Sequence, residues 1–480
     1  MASPEKTQRT HAPSRPGRLP LWAALCFFGS GAAGLLYEIV WSKELAYLLG
    51  SSLHAVAAVV ASFLLGLALG ARFLGVPLSR RGGAPAASGS ARTYALLELG
   101  VGVLGLLILP ALRASDPLIG QLYRALGGEG PGFASARLVL VMLALLPPAA
   151  LMGATLPVLV AHVEHDLVGA GLARLYALNT FGAVAGSLAA GFVLLPGLGL
   201  SATTLVAAAL NALVAAVAWT RAGAAPAPSA GPAAAASAVS AHAAPLDTSA
   251  RRAMAALFAL SGFGALAFQM AWVRLFGLVF GSSVYSFSAV LGVYLLGIAV
   301  GSALVARSLP RLANLASFGV LQLALAATAA LAVQAFPGLP QHMLDMGTHA
   351  GGDWRGLLFA EVGTVALLIG APCAILGALF PLATRLLQSR DGGHATGLAY
   401  AVNTAGTIAG SLVAGFVLVP TLGVQGTHMT GVVLAGAIGL AALLLAWQRR
   451  ELKGAPLMAG ALAAFATVLF SSSHRRGIRR

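Results

Sequence analysis

Residues 29–70, GSGAAGLLYEIVWSKELAYLLGSSLHAVAAVVASFLLGLALG, return in altered form at residues 261–301. At a constant offset of 231, Trp41 meets Trp272, Lys43 meets Arg274, Gly50-Ser51-Ser52 meets Gly281-Ser282-Ser283, and Gly66 and Gly70 meet Gly297 and Gly301. One position changes character: Glu38 becomes Gln269. A rare Trp, a cation and paired glycines held at fixed spacing do not arise from apolar composition alone, so the chain is read as an internal duplication.

The correspondence continues beyond this stretch. The Gly/Ser/Ala-rich loop 82–92 lengthens the first copy by seven residues, and the offset becomes 224. Pro148, Gly153 and Pro157 then meet Pro372, Gly377 and Pro381; Tyr176, Asn179 and Thr180 meet Tyr400, Asn403 and Thr404. Gly182, Gly186-Ser187, Gly191-Phe192, Pro196 and Gly199 likewise meet Gly406, Gly410-Ser411, Gly415-Phe416, Pro420 and Gly423. Glycines four residues apart share a helix face and admit close backbone approach. The prolines are expected to kink the fourth and tenth helices.

Composition sets the solvent. With 58% hydrophobic and 9% charged residues and a mean hydropathy of +0.87, the chain falls far from soluble domains, in which about a quarter of residues are charged. Apolar runs long enough to span about 30 Å of hydrocarbon recur every 35 to 40 residues. Six are expected at 20–42, 53–76, 93–112, 136–162, 171–195 and 200–220, and six at 252–274, 284–306, 315–336, 356–386, 397–419 and 427–447. A thirteenth, residues 456–470, is marginal in length. The fold class is therefore all-α polytopic membrane protein, with two parallel six-helix repeats in a major-facilitator-like arrangement and 12 to 13 transmembrane helices. Residues 1–19 form a cytoplasmic basic tail, 20–220 the first repeat, 221–250 an Ala/Pro/Ser-rich linker, 251–450 the second repeat, and 451–480 a short apolar segment with a basic tail.

The net charge of +15 is topogenic, not nucleic-acid-binding, because the cations sort by loop. With the N-terminus cytoplasmic, the outer loops hold only Arg113, Arg124, Arg137 and Arg355. The tail HRRGIRR conflicts with that sorting if residues 456–470 cross. The first apolar run lacks a small-residue cleavage site and reads as a retained helix. Cys26 and Cys373 lie in spanning segments and imply neither a disulfide nor a metal site.

Ionisable residues at membrane depth are costly and default to a functional reading. Glu38 lies about 27 Å along the first helix, toward the outer leaflet, with Trp41 and Ser42 on its face. Glu98, in the third helix, pairs with Gln322 across the repeat, as Glu38 pairs with Gln269. If both acids face the interface between halves, they make a lopsided anionic site for a cation, with the glutamines supplying neutral hydrogen bonds. The alternative is local pairing, Glu38 with Lys43 across a broken turn and Glu98 with an inner-leaflet arginine. Arg137 and Glu361, also equivalent, form either a gate-like ion pair across the cleft or two separate interfacial charges. Lys43 and Arg274 violate the inside bias and suit snorkelling to outer phosphates. Asn179 and Asn403 suit hydrogen bonding between helices. His342, His349 and His428 are read mostly as outer-loop residues at no metal spacing. There is no Walker sequence, no HExxH, no GxSxG with plausible partners and no dinucleotide fingerprint between a strand and a helix, so no catalytic residue, cofactor or metal is expected.

The stretch GLLYEIVWSKELAYLLGSS with FLLGLALG, repeated as FQMAWVRLFGLVFGSS with YLLGIAVG, resembles the membrane region of the fused major-facilitator/spermidine-synthase-like family. In that family an aminopropyltransferase-like domain follows the helices. After Arg450 only thirty residues remain here, without a Gly-rich nucleotide loop or an acidic amine-binding pair, so the expectation is a non-enzyme. The resemblance implies a membrane module associated with polyamine-type cations. Two readings follow. One is a carrier for polyamines or other small cations, with Glu38, Trp41, Glu98, Gln269 and Gln322 contacting substrate and Trp41 as a cation–π wall. The other is a non-transporting scaffold that anchors a separate soluble enzyme such as a spermidine-synthase-like partner. Either is placed as a multi-pass protein of the bacterial inner membrane, in contact with lipid and a small cationic substrate or a protein partner, and not with nucleic acid.

Overall fold

The computed structural model describes residues 19–81, 87–128, 130–163, 170–221, 246–281, 284–306, 308–349, 353–387 and 393–451. The N-terminal basic tail, nearly all of the expected linker and the segment 456–470 lie outside the described residues. Among those described, ten continuous helical stretches are long and apolar enough to cross a membrane. Two of them, Leu175–Thr220 and Leu398–Gln448, run for 46 and 51 residues, far more than one crossing needs. Each is broken once by a glycine in the left-handed region, Gly199 (φ 75°, ψ −179°) and Gly423 (φ 69°, ψ 179°). A side chain at that φ would meet its own backbone, so only glycine turns the chain back there without strain. The result is twelve crossings, six per copy.

In chain order these are α1 (Leu21–Leu49), α2 (Ser52–Gly70), α3 (Ala87–Ala114), α4 (Pro131–Val163), α5 (Ala170–Ala189) and α6, the part of Leu195–Thr220 beyond Gly199. The second copy comprises α7 (Thr248–Val279), α8 (Val284–Ala306), α9 (Leu315–Ala335), α10 (Trp354–Leu387), α11 (Gly393–Val413) and α12, the part of Val419–Gln448 beyond Gly423. Both α5 and α11 run on through a π-helical turn of identical sequence, AGFVL, at Ala190–Leu194 and Ala414–Leu418. A one-residue widening that appears twice at equivalent places belongs to the fold and not to chance. Below, the side on which α1 begins is called the N-side and the other the far side.

Within each half the glycines set the spacing. Gly66 and Gly70 lie on Ala149 and Ala150 of α4, as Gly297 and Gly301 lie on Cys373 and Ala374 of α10. Gly182 and Gly186 of α5 lie on the Phe28 and Ala32 backbone of α1, as Gly406 and Gly410 of α11 lie on Ala259 and Phe263 of α7. Lipid tails are as apolar as leucine, so close packing of this kind, not water exclusion, holds spanning helices together.

The halves meet through α2 against α11 and α5 against α8. Ser411 Oγ donates to the Ala57 carbonyl at 3.0 Å and Ser187 Oγ to the Ser288 carbonyl at 3.3 Å, two bonds related by the repeat. Both lie toward the far side, as does the apolar cluster of Leu53, Val56, Ala57, Met270, Ala414 and Val419 that spans the seam. On the N-side of the same helices, Tyr176 and Tyr400 are 53% and 41% exposed and lie within electrostatic reach of one another.

Three features differ from the sequence expectations. First, α1 extends to Leu49, past the polar run Ser42-Lys43-Glu44, because Ser42 is buried and Glu44 is neutralised by Arg113 Nε at 3.0 Å. Glu38 consequently lies nearer mid-depth than the outer leaflet, and no broken turn separates it from Lys43. Second, short helices, Asp116–Ala125 and Leu339–His349, occupy equivalent far-side connections. Third, His428 is fully buried in α12, its Nε2 at 2.9 Å from the Ala329 carbonyl, and is not a loop residue. On the N-side, Asp247 caps α7 through the Ala250 N–H at 2.7 Å and meets Arg449 Nη1 at 2.8 Å. The Ala250 amide, with the Ser249 hydroxyl, holds this exposed carboxyl below its ordinary range.

Candidate functional site

Spacing on α1 decides which way each polar group points. Trp41 is fully buried in the first half, stacked on Tyr37 at 5.2 Å and tilted against Phe63 at 5.4 Å. Its indole Nε1 has no hydrogen-bond partner. Trp272 repeats this in the second half, stacked on Phe268 at 5.4 Å. The repeated aromatic is thus a packing element of each half, and among the described residues no cation lies over its face.

Glu98 is also fully buried. Its Oε2 accepts from Asn211 Nδ2 of α6 at 2.7 Å, and the Ser30 and Tyr94 hydroxyls adjoin it. This tie joins α3, α6 and α1 inside the first half and uses no arginine. The second half carries the neutral version, in which Gln322 Nε2 donates to Ser261 Oγ at 2.6 Å. Ser261 is the repeat partner of Ser30, while Asn211 is replaced by Ala435. Glu98 and Gln322 therefore face inward within separate halves and do not share one cavity.

Gln269 is 3% exposed. Glu38 differs from the other four residues expected to contact substrate: it is partly exposed, whereas Trp41, Glu98, Gln269 and Gln322 are all buried. No hydrogen bond or ion pair involves Glu38 among the described residues. Of the five residues expected to contact substrate, Glu38 alone keeps part of its surface accessible.

The expected gate pair is not joined. Arg137 Nη1 donates to the Leu48 carbonyl at 3.3 Å, and its guanidinium lies 4.5 Å from the Phe133 ring centre. Glu361 is buried in α10 of the other half. Asn179 does tie helices together, its Nδ2 donating to the Phe27 carbonyl of α1 at 3.1 Å.

Two arrangements were not anticipated. Asn211 is the partner of Glu98, yet 113 residues separate them and no repeat signal marks it. Lys43 and Arg274, separated by the whole first repeat, line one cavity at the far-side seam. Their equivalence at the 231 offset was visible; their convergence needed the packing of α1 and α2 against α7 and α8.

Among the described residues, twelve crossings in two like halves, joined by α2–α11 and α5–α8, define an all-α polytopic membrane fold of major-facilitator-like architecture. The solved structure of an auto-inhibited POT family peptide transporter is similar over 91% of this chain and 98% of that one, with TM-score 0.50 and 14% identity, a likeness of fold. Among curated proteins, polyamine aminopropyltransferase 2 of Streptomyces coelicolor is 27% identical over 231 residues, 43% of this chain. The match spans only 39% of that relative's length. No protein-family model matches the chain.

Proposed function

We propose that the chain is a carrier that moves a small cation of polyamine type between the two sides of the bacterial inner membrane, with Glu38 as its anionic contact. The observation that carries this reading is Glu38 itself: partly exposed, near mid-depth, and without a partner among the described residues. An intramembrane acid in that state binds either a cationic solute or a proton in exchange for one. The carrier-like fold supplies the two halves between which a solute passes, with residues 20–220 and 251–450 acting as the two units. The name of the curated relative supplies the polyamine. Placing the N-terminus in the cytoplasm rests on the sorting of arginines among loops.

Proteoliposomes loaded with the purified chain test this by uptake of labelled spermidine. Glu38→Gln is expected to lower the initial rate at least about tenfold, the cost of losing one charge-assisted contact. Glu98→Gln, which makes the first half resemble the second, is expected to retain most of the rate. Equal flux in the parent and Glu38→Gln contradicts the site; no flux in the parent above protein-free vesicles contradicts the polyamine.

A second reading draws on the relative's name: the chain anchors a separate aminopropyltransferase-like enzyme. A stoichiometric soluble partner retained from native membranes, with no spermidine flux, would favour it.

A further inference from the structure

One turn beyond Glu38 along α1, at the far-side end of the seam, lies a cavity of about 70 Å³, room for several waters or one small oxyanion. Its walls come from α1 and α2 of the first half and α7 and α8 of the second. Two cations line it, Lys43 and Arg274, from equivalent positions of the repeat, and no Asp or Glu does. Neither cation has a hydrogen-bond or ion-pair partner among the described residues. The acid next to Lys43, Glu44, is turned to Arg113 instead.

Ser42 adds an independent sign. It lines the same cavity, is only 4% exposed, and among the described residues its Oγ has no hydrogen-bond partner. A buried hydroxyl without a partner is costly unless something fills the space in front of it. The first residues of α2 and α8, Ser52 and Val284, also reach the cavity. Helix N-termini carry free N–H groups and a partial positive charge, and the side chain of Ser51 does not cap α2.

Two cations, a hydroxyl donor and two helix N-termini around an acid-free space lack only a negative charge. We propose that this cavity binds a small oxyanion, the carboxylate or phosphate group of a solute or a lipid, held jointly by Lys43 from one half and Arg274 from the other. Arg274 presents a planar fork suited to two oxygens, Lys43 a point charge, and Ser42 a hydroxyl proton. Bound there, the anion bridges the halves and neutralises two like charges that otherwise repel across the seam. The site takes the opposite charge from the one Glu38 suits, and it stands whether or not the chain moves a cation.

The full chain in phosphatidylcholine nanodiscs, titrated with inorganic phosphate against chloride at constant ionic strength, tests it by thermal unfolding. A saturable rise in Tm specific to phosphate is expected. Lys43→Gln and Arg274→Gln should each weaken the apparent affinity about tenfold, and the double variant should abolish the shift. Because both substitutions relieve repulsion, the variants should unfold no earlier than the parent in chloride; if either does, Ser42→Ala, expected to weaken binding with both cations in place, becomes the deciding variant. Nanodiscs containing phosphatidylglycerol separate the sources. A phosphate effect that persists there identifies a soluble anion; one that is masked, with phosphatidylglycerol retained by the parent and not by the double variant, identifies a lipid headgroup. A phosphate shift that is absent, or equal in the parent, the double variant and Ser42→Ala, overturns the proposal.

Discussion

Gly70→Ala and Gly301→Ala are each expected to destabilise the protein by about 3 kcal/mol, the upper end of the usual cost of overpacking, and together to leave no monodisperse protein in detergent. A Cβ on Gly70 would fall well inside contact distance of the Ala150 carbonyl, and one on Gly301 equally close to the Ala374 carbonyl. Those atoms belong to the backbones of α4 and α10, so no side-chain rotation makes room. The helices must separate, and the matching contacts of Gly66 and Gly153, or Gly297 and Gly377, open with them. Gly34→Ala is the control, since its new Cβ would meet nothing within 4 Å; there the change should be neutral or stabilising by up to about 1 kcal/mol, because alanine is the better helix former. Fluorescence-detected size exclusion after graded heating reads both outcomes.

Asn211→Ala carries the second large effect. It leaves the Glu98 carboxylate in the interior of the first half without the donor that now lies 2.7 Å away. Leaving a buried carboxyl short of a hydrogen-bond donor costs about 1–3 kcal/mol, and that is the expected loss of unfolding free energy in mixed micelles. Placed on Glu98→Gln, the same substitution should cost only about 1 kcal/mol, the worth of a neutral hydrogen bond. The difference between the two backgrounds measures the coupling directly. The second half is the natural precedent, since Gln322 there is satisfied by Ser261 with Ala435 in place of the asparagine.

The fold was legible because it is written twice. Glycines at 66, 70, 182 and 186 and their partners report which faces touch, and the pairing of Gly199 with Gly423 marks where two helices part. Side-chain roles were less legible. Hydrophobic spacing shows that Trp41 lies between about five and six turns along an apolar helix, not which side of that helix faces the seam; Tyr37 and Phe63 decide this, and they belong to two different helices. The acid-to-amide exchange at Glu38 and Glu98 looked like one signal and is two. Glu98 is the polar tie of the first half, whereas Glu38 keeps partial exposure. His428 looked like an outer-loop residue because it follows a Pro/Gly-rich turn, but its ring packs on Phe268 and Phe336. The end of α1 was misplaced because Ser42, Lys43 and Glu44 resemble an interface when their partners, which come from other helices, are unseen.

A carrier of this build works only if the seam that is packed on the far side can open. Ser411 and Ala57 touch across that seam through a 3.0 Å hydrogen bond, so a cysteine at each position, bridged by oxidation, would lock it. Spermidine uptake by Ala57→Cys/Ser411→Cys proteoliposomes, measured before and after oxidation and again after reduction with dithiothreitol, is the most direct measurement. Flux that falls to background on cross-linking and returns on reduction is the predicted result; undiminished flux through fully cross-linked protein would contradict it.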